Sequence, residues 1–299
     1  YLLQTVTAVY LRLLGHEISN GGFVLDVNET PDPEEFEDAY MRYANARVCP
    51  PRPAEKTYRV RGTQEPFYTL NVIDGIMSVS AVQKVAKQYQ ASITEYLNAV
   101  LLYSLLQKQE HDFHLRLRPV RIAMPVNLRR FFPSKTLRNF ITMVYPSIDP
   151  RLGDYTFEEI VTQVHHYMRY YINSKFLRGD ITTNASTQRN PLIRIVPLFL
   201  KDFVVRQFYQ RVQDKNSSAG LTNMGAIRVP DDMKPYLERF DIYMGIPYSQ
   251  RTNCAIVSFE DTLTVNFASC IIEADVERRF FQKLVEDGIP VTIESNREL

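Results

Sequence analysis

The stretch Asn253-Cys-Ala-Ile-Val-Ser-Phe-Glu-Asp-Thr-Leu-Thr-Val-Asn-Phe-Ala-Ser-Cys270 reads as two strands, 253–259 and 262–270. β-Branched and aromatic residues dominate both runs, and Glu260-Asp261 is the turn between them, so the pair is a hairpin. Working outward, Asp275 opens an apolar-periodic helix that Gly288 ends. Upstream, further strands are expected near 219–224 and 241–247. Residues 191–213 read as a helical segment that Pro191 starts and Pro197 kinks or restarts. Thr156-Phe-Glu-Glu159 is a capping box opening a helix to about 173, and Ser92-Ile-Thr-Glu95 is another, opening a helix over 92–109. Strands near 66–77, 115–126 and 139–147 and a helix over 78–90 complete the pattern. Strands alternating with helices, closed by a late hairpin, give an α/β class with a mixed sheet flanked by helices.

The first 56 residues differ in character. Tyr1 through Gly15 place Leu2, Leu3, Val6, Val9, Tyr10, Leu13 and Leu14 at helical spacing, and Gly15 is a natural stop. This helix begins without a start signal, and sequence upstream of Tyr1 is expected. Residues 26–38 carry seven acids and no base, the pattern of a solvated connecting helix. Residues 49–56, CPPRPAEK, form a Pro-rich linker. The division that follows is 1–56 as connecting region and 57–299 as the main α/β unit.

Composition sets limits on function. In 299 residues, 35 Lys+Arg balance 34 Asp+Glu, so no global field draws the chain to nucleic acid or an anionic membrane. At 45% hydrophobic residues, a packed core is affordable, while no apolar run is long enough for a membrane span. Trp is absent, but 18 Tyr and 17 Phe supply aromatic mass for a core or a ligand tunnel. Cys49, Cys254 and Cys270 form no CxxC pair, which fits a reducing, cytoplasmic setting and buried thiols.

Common catalytic signatures are missing: there is no GxGxxG, GxxxxGK[ST], GxSxG or HExxH. His16, His111 and His114 lack metal-ligand spacing, and no metal is expected. His165-His166 lie about 100° apart on a helix, so the two rings cannot serve one substrate; one is expected inward and one outward. Residues 113–148 hold seven cations and no acid: Arg116, Arg118, Arg121, Arg129, Arg130, Lys135 and Arg138. That field suits either a phosphate-bearing ligand or a guarded strand edge. Nucleic-acid binding is the weaker reading, since no recognition module is present.

Three segments in order carry a resemblance: Ser92–Tyr103 (SITEYLNAVLLY), Pro125–Arg130 (PVNLRR) followed by Thr136–Phe140 (TLRNF), and Gly220–Gly225 (GLTNMG). Their order and spacing resemble the alcohol acetyltransferase-like and condensation-domain-like members of the CoA-dependent acyltransferase (chloramphenicol acetyltransferase-like) superfamily. The resemblance implies two similar α/β halves with a tunnel between them, the N-terminal half being incomplete here: 1–56 would be its tail with the connecting segment, and 57–299 the C-terminal half. It implies acyl, most simply acetyl, transfer from acyl-CoA or a carrier-protein thioester to an alcohol or amine, without a metal. The superfamily's base is the second His of HHxxxDG. His165-His166 is followed by Tyr170 and Tyr171 where that motif has Asp and Gly, so it is not the motif; in the superfamily a helix ending like Tyr10-Leu-Arg-Leu-Leu-Gly15 follows shortly after HHxxxDG, so by the resemblance the motif is expected shortly before Tyr1, and that missing N-terminal segment is an implied partner. By the resemblance, Asn127, Arg129, Arg138, Asn139, Thr222, Asn223 and Gly225 are candidates for the tunnel wall, with Arg129 or Arg138 a possible partner for the motif's Asp. The competing expectation is a degenerate, non-catalytic module that binds a carrier protein or small molecule.

Overall fold

The computed structural model describes residues 2–45, 55–66, 68–112, 116–189, 197–198, 200–202, 216–246 and 250–297. Most of the expected linker and of the expected helix over 191–213 lies outside them. The hairpin that decides the class is present: β6 (Thr252–Phe259) and β7 (Thr262–Ser269) pair antiparallel in unbroken register, with Glu260 at φ 51° in the turn. Around them the sheet orders β3 (Ile141–Val144), β2 (Val120–Asn127), β5 (Ala219–Ala226), β6, β7, β1 (Asn71–Ser78) and β8 (Thr292–Ser295), and β4 (Ser147–Ile148) also pairs β2. β2–β5 and β5–β6 are parallel and the rest antiparallel, so the sheet is mixed.

One face carries α3 (Val79–Gln88), α4 (Ile93–His111), α5 (Phe157–Tyr171) and α7 (Asp275–Glu286). α4 is the central helix and is buried on most sides, with Tyr96, Leu97, Val100, Leu101 and Leu105 all fully buried and Glu95, Asn98, Ser104 and Gln109 buried with them. Both capping boxes form: Ser92 Oγ accepts from Glu95 N and Glu95 Oε2 from Ser92 N, and Thr156 and Glu159 do the same for α5. The opposite face of β6 is covered by the N-terminal segment. Ala8 and Leu11 of α1 (Leu2–Leu13) pack with Ile18 and Val24 on Val229, Met233, Phe240, Val257 and Phe259.

Several elements differ from the sequence reading. The acidic stretch is no continuous helix: Asp32 and Asp38 each accept from the N–H two residues on, which splits it into a 3-10 turn, Pro33–Phe36, and α2, Ala39–Tyr43. Nor is it simply solvated, for Ala39, Tyr40 and Tyr43 pack on Phe132 and Phe140. β1 starts only at Asn71; just before it Thr69 N donates to the Pro66 carbonyl rather than to a neighbouring strand. The strand expected over 139–147 is two short ones, interrupted at Pro146, which has no N–H to donate. The described part of 241–247 forms no strand, since its backbone is met by side chains: Ile242 N donates to Asn266 and Gly245 O accepts from Asn253. Asp275 is the first residue of α7 rather than its cap, and its carboxylate pairs with Lys108 at 3.1 Å. β8 and α6 (Ser174–Arg189) lie outside the elements expected from the sequence; among its described side chains α6 buries a thin stripe, Leu177, Ile181, Thr182 and Ala185.

α7 also carries an acid into the interior. Glu277 is 2% exposed, its Oε1 accepts from Thr252 Oγ1 at 2.7 Å, and burial pushes its carboxyl pKa up from 4.5. A folded pKa above the unfolded one means a contribution that is complete below about 4.5 and lost as pH rises through the folded value. Glu277→Gln, which keeps the shape and cannot ionise, is therefore expected to gain on the native chain as pH rises. Urea midpoints measured from acid to alkaline pH check this, and parallel curves for the two chains would contradict it.

Candidate functional site

β2 and β5 run parallel, with Ile122 opposite Ala219 and Ala123 opposite Gly220. Their carboxyl ends therefore lie together, the position where open α/β sheets bind ligands. Asn127 is the last residue of β2, and Thr222, Asn223 and Gly225 belong to β5, so both quoted motifs reach the same end of the sheet.

At β2, Asn127 Oδ1 accepts from Arg129 N at 3.1 Å and caps the turn Leu128–Arg130. Its amide NH2 has no partner among the described residues and faces an exposed surface. Arg129 is fixed: one terminal nitrogen donates to Thr136 O and to Arg138 O, both at 2.7 Å, and the guanidinium lies over the Phe140 ring. It thereby clamps the loop 131–140, and charge-assisted bonds of this kind are the stronger ones. Arg138 and Asn139 are exposed, and their side chains engage no other described residue. Arg129 and Arg138 thus meet through the Arg138 carbonyl, while the Arg138 side chain stays free.

At β5, Asn223 joins two elements. Its Nδ2 donates to Thr94 Oγ1 in the first turn of α4, and its Oδ1 accepts from Gly225 N, each at 2.8 Å. The chain bulges between them, where the register with β6 shifts. Gly225 has φ +73° with open space where a Cβ would be, so its requirement is backbone conformation rather than close approach of a neighbour. Met224, at the bulge, is exposed, and Thr222 is half-buried.

Sequence spacing gave no sign of what lies behind this end. Asn98 is fully buried, donates to Thr94 O and Met124 Sδ, and leaves its Oδ1 unpartnered. His165 Nδ1 stands 3.3 Å from Glu95 Oε1, too oblique for a hydrogen bond, and Nε2 accepts from Arg169 Nε. His165 is half-buried and His166 exposed, as expected of adjacent helical positions. The His16 ring lies 4.2 Å from that of Tyr236, tilted by 35°, and His111 Nδ1 meets the Gln107 carbonyl of its own helix.

The basic stretch is met by the acidic one. Lys135 Nζ pairs with Asp32 at 2.8 Å and holds that carboxyl below the usual range, while Leu137 N and Thr136 Oγ1 bond the carbonyls of Glu35 and Glu37. Arg130 and Arg138 remain exposed and unpaired beside Asn127 and Asn139. The seven candidates therefore offer hydrogen-bond donors and a rigid wall, but none is a His, Cys or carboxylate side chain of the kind that serves as a general base. Among the described residues no cluster of three or more His, Cys, Asp and Glu forms a metal site, and no helix is long and apolar enough to cross a membrane.

No family model and no curated protein matches the chain. Solved structures do. It is similar to the TRI3 trichothecene 15-O-acetyltransferase of Fusarium sporotrichioides, with a TM-score of 0.50, 13% identity, and 77% of this chain aligned on 49% of that one. It is also similar to the nonribosomal peptide synthetase FmoA3, with a TM-score of 0.51, 10% identity, and 79% of this chain aligned on 23% of that one. The chain thus spans half or less of the length of either structure. With its mixed sheet and helical cover, this chain shares the α/β fold of these two structures.

Proposed function

We propose that the chain forms one wall of an acyltransferase tunnel, in which an acyl group, most simply acetyl, passes from a CoA thioester to an alcohol or amine. The observation that supports this reading is that β2 and β5 run parallel, so that Asn127 and Arg129 at the end of β2 and Asn223 toward the end of β5 lie at the same end of the sheet. Acyl transfer to a hydroxyl needs a base near neutral pKa and donors for the developing oxyanion. Asn127, Asn139 and the free guanidinium of Arg138 supply donors, and Arg130 and Arg138 suit the phosphates of CoA. The base in this reading is the second His of an HHxxxDG segment preceding Tyr1. That segment would rest on α1, whose outward face carries Leu2, Val6, Tyr10 and Leu13, the last 82% exposed. A run of apolar side chains this exposed is a contact surface.

One observation favours the non-catalytic alternative. His165, the one described histidine beside a carboxylate, is tied up by Arg169. The test is release of free thiol from acetyl-CoA in the presence of a panel of alcohols and amines, by the polypeptide that includes the HHxxxDG segment. Release that falls by about 10²–10⁴-fold when its second His is replaced supports the reading. No release with any acceptor, or release indifferent to that His, sinks it in favour of a binding module.

A further inference from the structure

The far end of the sheet from β3 has a second unexplained surface. β8 is the outermost strand there, paired only to β1 from Ile73↔Ser295 to Ile76↔Thr292, and all four of its residues are exposed. Between β8, β1 and α7 lies a groove of about 600 Å3 with apolar walls from Ile73, Phe281, Val285, Val291 and Ile293. Gly75 makes room for its floor, since a Cβ there would sit 2.1 Å from the Phe281 ring. Val285 and Ile293 are each about half exposed. Natural sheet edges are usually blunted by free charge, proline or a bulge. β8 has one charge, Glu294, and Arg239 already neutralises it at 2.6 Å.

The charges around the groove identify its occupant. Arg278 and Glu286 stand at opposite ends of the exposed face of α7, eight residues or about 12 Å apart along the helix. Both are exposed, and neither side chain makes a hydrogen bond or ion pair with a described residue, although the Glu286 charge acts on nearby Lys283. A surface positive at one end, negative at the other and apolar between is complementary to itself under a twofold axis. We propose that a second copy of this chain docks here, β8 pairing antiparallel with β8 so that the sheet continues across the dimer. Side chains directly opposite in such a pair share a face, so Ile293 meets Ile293 of the other copy on the groove side. Each Arg278 then lies at the Glu286 end of the other α7. The pairing is independent of acyl transfer and leaves the carboxyl ends of β2 and β5 at the other side of the sheet.

Sedimentation of the full chain over a concentration series tests this. The native chain is expected to dimerise, and Ile293→Lys to remain monomeric. Arg278→Glu alone and Glu286→Arg alone each place like charges together at both ends and are expected to sediment as monomers. An equimolar mixture of these two variants restores both pairs and is expected to sediment as a dimer, a result that misfolding cannot imitate. A native chain that stays monomeric throughout overturns the proposal, and so does a mixture that fails to pair. Association that survives Ile293→Lys but is lost on Leu13→Lys assigns self-contact to α1 and also overturns it. So does a monomer that binds a fluorescent fatty acid and releases it on Val285→Glu, which makes the groove a small-ligand site.

Discussion

Phe280→Ala is expected to cost about 3–5 kcal/mol of folding stability, the range for emptying a buried aromatic site. Phe280 is fully buried in α7 and stands edge-on to Phe267 of β7 at 5.1 Å and to Phe281 at 5.4 Å. Phe267 and Phe281 also meet edge-on at 5.6 Å, so the three rings form one closed set between the helix layer and the hairpin strand. Neighbours fixed by Gly75 on one side and by α4 on the other leave little room for the cavity to collapse. Phe280→Leu keeps most of the volume and should cost under about 1.5 kcal/mol. Urea unfolding of both variants separates the cases. A loss below 1 kcal/mol for the alanine variant would mean that α7 is not anchored in this core.

Asn223→Ala is expected to lower kcat/KM for acyl transfer by about 10²-fold, the scale of a roughly 1 Å misplacement in a reacting site. The side chain holds the β5 bulge closed through Gly225 N and ties it to α4 through Thr94. Without it both partners lose a bond, and the wall at the end of β5 can shift against the end of β2. Thr94→Val removes only one of the two bonds and should give an intermediate loss. Steady-state thiol release across an acceptor series, by the polypeptide that includes the HHxxxDG segment, measures both. Activity equal to the unsubstituted chain for Asn223→Ala would remove this end of the sheet from the site.

The parts of the fold legible in the sequence are those with local causes. The hairpin at 253–269 and both capping boxes follow from strand propensity and from side chains three residues apart, and all three stand in the structure. Strand 139–147 and the segment at 241–247 misled because periodicity does not reveal where backbone groups bond. Pro146 interrupts the first, and Asn266 and Asn253 replace the ladder for the second. α6 was illegible because three buried apolar residues in sixteen make a faint stripe. At the candidate site, the motif residues could be named from spacing, but not their division of labour. That Arg129 clamps carbonyls while Arg138 stays free depends on a loop closing back over nine residues. That Glu95, a member of a capping box, also lies 3.3 Å from the His165 ring without bonding it depends on how α5 lies on α4. The match of acidic 32–37 to basic 135–137 is likewise a contact across about a hundred residues of chain.

The central claim is that acyl donor binds at the carboxyl ends of β2 and β5. Backbone hydrogen exchange with and without acetyl-CoA tests it most directly, in the polypeptide that includes the proposed HHxxxDG segment. The account predicts slowed exchange at Asn127–Arg130, Arg138–Asn139 and Thr222–Gly225, with β8 and α7 unchanged. Exchange that is unaltered at those residues, or protected only along the groove of β8 and α7, would contradict it.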